Sequence, residues 1–138
     1  MSNNRNEARN IFFTAWQKHL QKSPVEKLEA QIIDIILQHP EYHYILNDPD
    51  TYQTKDFEGE NPFLHLSLHL ALYEQISTDR PHGIKQIYQD LCEKFPDALT
   101  TQHSMMKCLA EVLWEAQQTG VMPDENNYLS RLRAIKGY

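Results

Sequence analysis

The sequence predicts an all-α fold: one domain, residues 1–138, arranged as a bundle of five or six helices with short connections and one long acidic loop. Three observations carry this. Apolar residues recur at three- and four-residue spacing in segment after segment, and no stretch alternates as a half-buried strand would. Only four glycines occur among 138 residues, few for a protein full of tight β-turns. The third is Asn61–Ile76, an almost wholly apolar helix that needs neighbours on most sides. A chain of this length buries most of its apolar surface without a disulfide or structural metal.

In chain order, residues 1–6 are expected to be disordered, and the first helix to run from about Glu7 to Lys22 with Phe12, Ala15, Trp16 and Leu20 in register. Ser23-Pro24 then reads as N-cap and first turn of a second helix reaching about Gln38. On a wheel of ~100° per residue, Val25, Leu28, Ile32, Ile35 and Ile36 share one face with His39, while Ile33 and Leu37 fall outside it. Pro40 turns His39 away from helical geometry, so His39 closes this helix and caps a short one carrying Tyr42, His43, Ile45 and Leu46. Residues 47–60 set five carboxylates against Lys55 and read as a solvated surface loop; the regular acidic spacing of a calcium loop is missing.

Asn61-Pro62 starts the apolar helix, which continues to about Ser77 before Thr78-Asp79-Arg80-Pro81 breaks it. A fourth helix spans roughly His82 to Phe95, with Ile84, Ile87, Tyr88 and Leu91 as its stripe, ended by Pro96-Asp97. Thr100 or Thr101 caps the next helix, closed by Gly120, and Met105, Met106, Leu109 and Leu113 are assigned to its core face. The last helix starts near Asp124 and presents Tyr128, Leu129, Leu132 and Ile135, with Arg131, Arg133 and Lys136 complementing its C-terminal dipole.

Thirteen basic and nineteen acidic residues give a net charge of -6, which argues against general binding to nucleic acid or an anionic membrane. The N-terminal residues lack a signal-peptide core and no run reaches the ~20 apolar residues of a membrane span, so a cytoplasmic location is expected. Cys92 and Cys108 form no CxxC pair and read as reduced, buried thiols.

The chemistry-bearing residues are histidines. His65 and His69 lie one turn apart, opposite the narrow polar strip of Ser67, Glu74 and Thr78, so both imidazoles are expected to face the interior. A buried imidazole left without partners costs roughly 1–3 kcal/mol. Neutral imidazoles at i and i+4 can instead direct two nitrogens at one transition metal, zinc or iron. His39 and His43 approach from the end of the second helix, and His103 sits at the edge of an apolar arc beside Trp114. Glu111 is close enough to that edge to be kept as a ligand candidate; Glu74 projects the wrong way. The competing reading is a hydrogen-bonded core network. Enzymatic activity stays open, because His65-Leu66-Ser67-Leu68-His69 lacks the glutamate of zinc proteases, and no Glu-x-x-His pair, Gly-x-Ser-x-Gly, phosphate loop or dinucleotide fingerprint occurs.

Four stretches, His39-Pro40-Glu41-Tyr42-His43, Asn61 through Gln75, Asp79-Arg80-Pro81-His82-Gly83-Ile84 leading to Tyr88, and Cys108-Leu109-Ala110-Glu111 with Trp114-Glu115-Ala116-Gln117, resemble the bacterial family of domain of unknown function 1841. The likeness extends from about Trp16 to Arg133. It implies that His39, His43, His65, His69, His103 and Glu111 form one set, supplies no reaction, and sets His82 apart as a departure where relatives carry proline. Two readings follow: a small helical protein binding zinc or iron between helices, or a non-enzymatic interaction module. In the second, the histidines are structural, and Ile33 and Leu37 meet a protein partner or a second copy.

Overall fold

The computed structural model describes residues 4–137, all of whose regular structure is helical. In order these are α1 (Asn4–Leu20), α2 (Lys27–Leu37), a 3-10 turn (Pro40–Tyr42), α3 (His43–Leu46), α4 (Pro49–Tyr52), α5 (Pro62–Thr78), α6 (Ile84–Cys92), α7 (Ala98–Thr119) and α8 (Glu125–Arg133). The all-α class is as expected, but the helices number eight rather than five or six. The surplus over the six longer helices is α3, which matches the short helix expected to carry His43, Ile45 and Leu46, and α4, a single turn too short to leave a periodic signal. One of them lies inside the expected loop, where Asp48 caps α4 by accepting from the Thr51 amide at 3.2 Å. Of the N-terminal segment expected to be disordered, residues 1–3 lie outside the described residues and Asn4–Asn6 begin α1. Among the described residues no helix is long and apolar enough to cross a membrane.

The chain divides into two compact units, at Leu70 and Ala71 within α5. The core of the first is built by Phe12, Phe13, Ala15 and Trp16 of α1, Ile32, Ile33, Ile35 and Ile36 of α2, Ile45 and Leu46 of α3, and Phe63 and Leu66 of α5. Each of the large side chains among them contributes about 1.5–3 kcal/mol by leaving water. Ile33 is therefore core, although the wheel put it off the main face, while Leu37 stays 47% exposed. Trp16 keeps its indole N–H satisfied by donating to the Asn47 side-chain oxygen at 2.8 Å.

The start of α2 differs from expectation for a local reason. Ser23 is consumed by the end of α1: its amide donates to the Lys18 carbonyl at 2.9 Å and the Lys22 amide to His19 at 3.1 Å, with Lys22 left-handed at φ 57°. That is a Schellman ending with lysine where glycine is usual. Pro24 is left outside the helix, Val25 and Leu28 are exposed, and α2 begins only after Glu26, whose amide donates to the Glu29 carboxylate at 3.0 Å.

Buried Arg9 of α1 organises the segment after α4. One Nη1 lies 3.0 Å from the Tyr52 carbonyl, 3.2 Å from Gln53 and 2.7 Å from Lys55, and the guanidinium stands 4.7 Å from the Phe63 ring centre and 5.4 Å from that of Phe57. These carbonyls lie at and just after the end of the one-turn α4, where backbone acceptors outnumber helical donors. A polar stretch is thereby fixed to the aromatic core.

In the second unit, Leu72, Ile84, Ile87, Leu91, Met105, Met106, Leu109, Val112, Tyr128, Leu129 and Leu132 are buried. Asp79, left-handed at φ 52°, ends α5 and accepts from the Gly83 and Lys85 amides at 3.1 and 3.0 Å, which starts α6. Helix α7 is capped by Asp97, not by Thr100 or Thr101: the Asp97 carboxylate accepts from the Thr100 amide at 2.7 Å. Gly120 closes that helix at φ 70°, and Asp124 caps α8 as expected. Leu113 is exposed, as is Trp114 at 61%, so the assignment of Leu113 to the core fails.

Candidate metal centre

At the end of α2 the Ile35 and Ile36 carbonyls accept the backbone amides of Gln38 at 3.1 Å and His39 at 2.9 Å, and each oxygen has a second lone pair to offer. Two histidines use them. His39 turns its Nδ1 onto the Ile35 carbonyl at 2.8 Å, and His43 turns its Nε2 onto the Ile36 carbonyl at 2.9 Å. A carbonyl only accepts, so each of these nitrogens carries hydrogen. Pro40 keeps His39 out of the helix, at φ -127° and ψ 65°, and starts the 3-10 turn that returns the chain.

With its Nδ1 committed, a neutral His39 has its lone pair on Nε2, which lies 3.1 Å from Nε2 of His65. His65 and His69, one turn apart on α5, have ring centres 4.9 Å apart. The His39 ring stands nearly edge-on to both, at 4.9 Å from His65 and 4.6 Å from His69. Each of the three offers a ring nitrogen within 4.8 Å of the others. His39 is 1% and His69 4% exposed, and His65 is the more open at 19% of its side chain. The inward orientation expected of α5 thus holds fully for His69 and partly for His65.

Behind His65 stands Glu60, whose Oε1 is 3.4 Å from Nδ1 of His65 and accepts from the Tyr42 hydroxyl at 3.3 Å. The Tyr42 ring stacks on His39, its centre 5.5 Å away and nearly coplanar in tilt. Burial, and then the Glu60 charge, push the Tyr42 phenol well above its ordinary range, so it remains a donor at neutral pH. Both His39 and His65 therefore have Nδ1 toward an oxygen acceptor and Nε2 toward each other. Metal-ligating histidines commonly show this outer arrangement.

The remaining candidates have other surroundings. His43 lies against Trp16, ring centres 4.6 Å apart, with its Nε2 engaged by Ile36. His103 is half-buried on α7 of the second unit. Glu111, on the same helix, has its Oε2 3.7 Å from the Arg131 guanidinium, which pairs more closely with Glu115 at 2.7 Å. His82 is fully exposed with Nδ1 3.1 Å from Asp79, and Glu74 is exposed. Burial pushes the Cys108 thiol up, as befits an inert cysteine. Sequence reasoning missed Glu60, placing it in a solvated loop. Its position just before the Asn61 cap was the available signal, because a residue preceding a helix can fold back over the first turn.

Fold and site together define a small all-helical protein with a buried histidine cluster at the junction of α2 and α5. The family model described as Domain of unknown function (DUF1841) matches residues 4–134, and the chain belongs to that family. No curated protein and no solved structure matches it.

Proposed function

We propose that this protein binds one transition-metal ion, zinc or iron, through His39, His65 and His69. The observation that supports the reading is the 3.1 Å between the two Nε2 atoms, with each Nδ1 turned onto an oxygen. Two nitrogens on one zinc at ~2.0–2.1 Å, separated by a tetrahedral angle, stand about 3.3 Å apart. The His39–His65 pair stands close to that spacing, and His69 offers a nitrogen within 4.8 Å of both. His43 and Glu111 are left out, since Ile36 and Arg131 already engage them. Bound there, the ion would act as a Lewis acid or as a clamp on the helix ends. The chain's own residues hold it, orient the imidazoles and keep water from His39 and His69.

The same 3.1 Å is also a donor–acceptor distance, which favours the hydrogen-bonded core network as the second reading. Metal analysis and chelator-competition titration of tag-free protein separate the two. Stoichiometric retention of zinc or iron, lost in His65→Ala/His69→Ala, supports the metal site. Wild-type protein that is metal-free and takes up neither ion supports the network.

A further inference from the structure

The geometry points to Glu60, seated by the Arg9 clamp, as the positioning residue that holds His65 with hydrogen on Nδ1 and its Nε2 lone pair turned toward His39. This rests on the metal reading above and adds the device that prepares the site. His39 needs no such help, because the Ile35 carbonyl fixes its tautomer from within the same helix end. His65 meets a carboxylate from outside α5. Its Nδ1 faces Glu60, which belongs to the irregular segment after α4.

An exposed side chain in an irregular segment holds a position only if its backbone is held. Three carbonyls at the start of that segment, Tyr52, Gln53 and Lys55, converge on Nη1 of buried Arg9, and Phe57 packs against the same guanidinium. At the other end Asn61 caps α5 through the Phe63 amide at 2.9 Å, and the Tyr42 hydroxyl donates to Glu60 itself. Arg9 thus acts on His65 through the strap, while Glu60 acts directly. Removal of an outer partner of a ligating histidine commonly weakens metal binding 10- to 100-fold.

The test is a double-mutant cycle in zinc affinity, by chelator competition, on wild type, Glu60→Ala, Glu60→Gln, Arg9→Lys and Arg9→Lys/Glu60→Ala. Glu60→Ala is expected to bind about 10- to 100-fold more weakly, and Glu60→Gln to recover most of that loss because its amide oxygen still accepts. Arg9→Lys, which cannot reproduce the planar guanidinium contacts, is expected to weaken binding with Glu60 present and to add nothing in its absence. Affinity in Glu60→Ala within twofold of wild type, or an Arg9→Lys effect of equal size in both backgrounds, overturns the inference. If Arg9→Lys loses its helical circular dichroism, the Glu60 pair decides alone. A metal-free arm keeps the two readings apart: long-range proton–nitrogen correlation should find a larger share of His65 with hydrogen on Nδ1 in wild type than in Glu60→Ala. Zinc-free wild type overturns the metal reading, whereas an unchanged His65 ring pattern in Glu60→Ala overturns this one.

Discussion

Replacing Arg9 by Met keeps most of the buried stem and removes the guanidinium. What goes is a set of contacts to three carbonyls at 3.0, 3.2 and 2.7 Å and the approach to two aromatic rings at 4.7 and 5.4 Å, from a residue only 3% exposed. A hydrogen bond to a charged group contributes about 1.5–3 kcal/mol. A cation over an aromatic face adds about 0.5–2 kcal/mol. The three acceptors share one Nη1 and lie in a surface segment where water can replace it, so these terms do not add in full. A net loss of about 2–4 kcal/mol follows, or a fall in Tm of roughly 6–14 °C for a chain of this size. Thermal unfolding followed by far-ultraviolet circular dichroism measures it. A fall of less than about 1 °C would mean that the clamp is ornamental, and the reasoning about the strap would go with it.

Three further outcomes are expected. Leu66→Ala, at a fully buried position of α5, should cost about 2–5 kcal/mol in denaturant unfolding, whereas exposed Leu64→Ala on the same helix should stay within about 0.5 kcal/mol; equal losses would refute the placement of the helix face. The Thr100 amide, and next its hydroxyl, hold the Asp97 carboxyl below the usual carboxylate range. Its stabilising effect is therefore present above the unfolded-state value and is lost as pH falls through the folded one, so wild-type Tm should drop more steeply on acidification than that of Asp97→Asn; parallel curves would contradict this. Finally, acrylamide should quench the emission of a Trp16→Phe variant efficiently and that of Trp114→Phe weakly, because Trp16 is buried and Trp114 exposed; the reverse order would place the indoles wrongly.

Much of the helical plan was legible because it is written in local chemistry. Asn61-Pro62, Asp124 and Gly120 mark ends that depend on a few adjacent atoms, and they stand where expected. The errors arise where neighbouring signals compete. Ser23 can cap α2 or close α1, and the left-handed Lys22, a conformation uncommon for lysine, decides for α1. Asp97 lies next to Pro96 and read as a terminator, although its carboxylate starts α7. Ile33 and Leu113 show the limit of a wheel: it groups residues into faces but does not reveal how many neighbours a helix has. Within the site, His39, His65 and His69 emerged from apolar faces because an unpartnered buried imidazole is costly. Glu60 and Arg9 did not, since a carboxylate in an acidic stretch and an arginine in a polar helix look solvated until the fold brings backbone carbonyls or an imidazole to them.

The metal reading is tested most directly by X-ray absorption at the zinc edge on tag-free protein loaded with one equivalent of zinc. The account predicts a first shell of nitrogen at about 2.0–2.1 Å with the outer scattering of at least three imidazoles, and its loss in His65→Ala/His69→Ala. A sulfur shell near 2.3 Å, or zinc that washes away without leaving a defined shell, would contradict it.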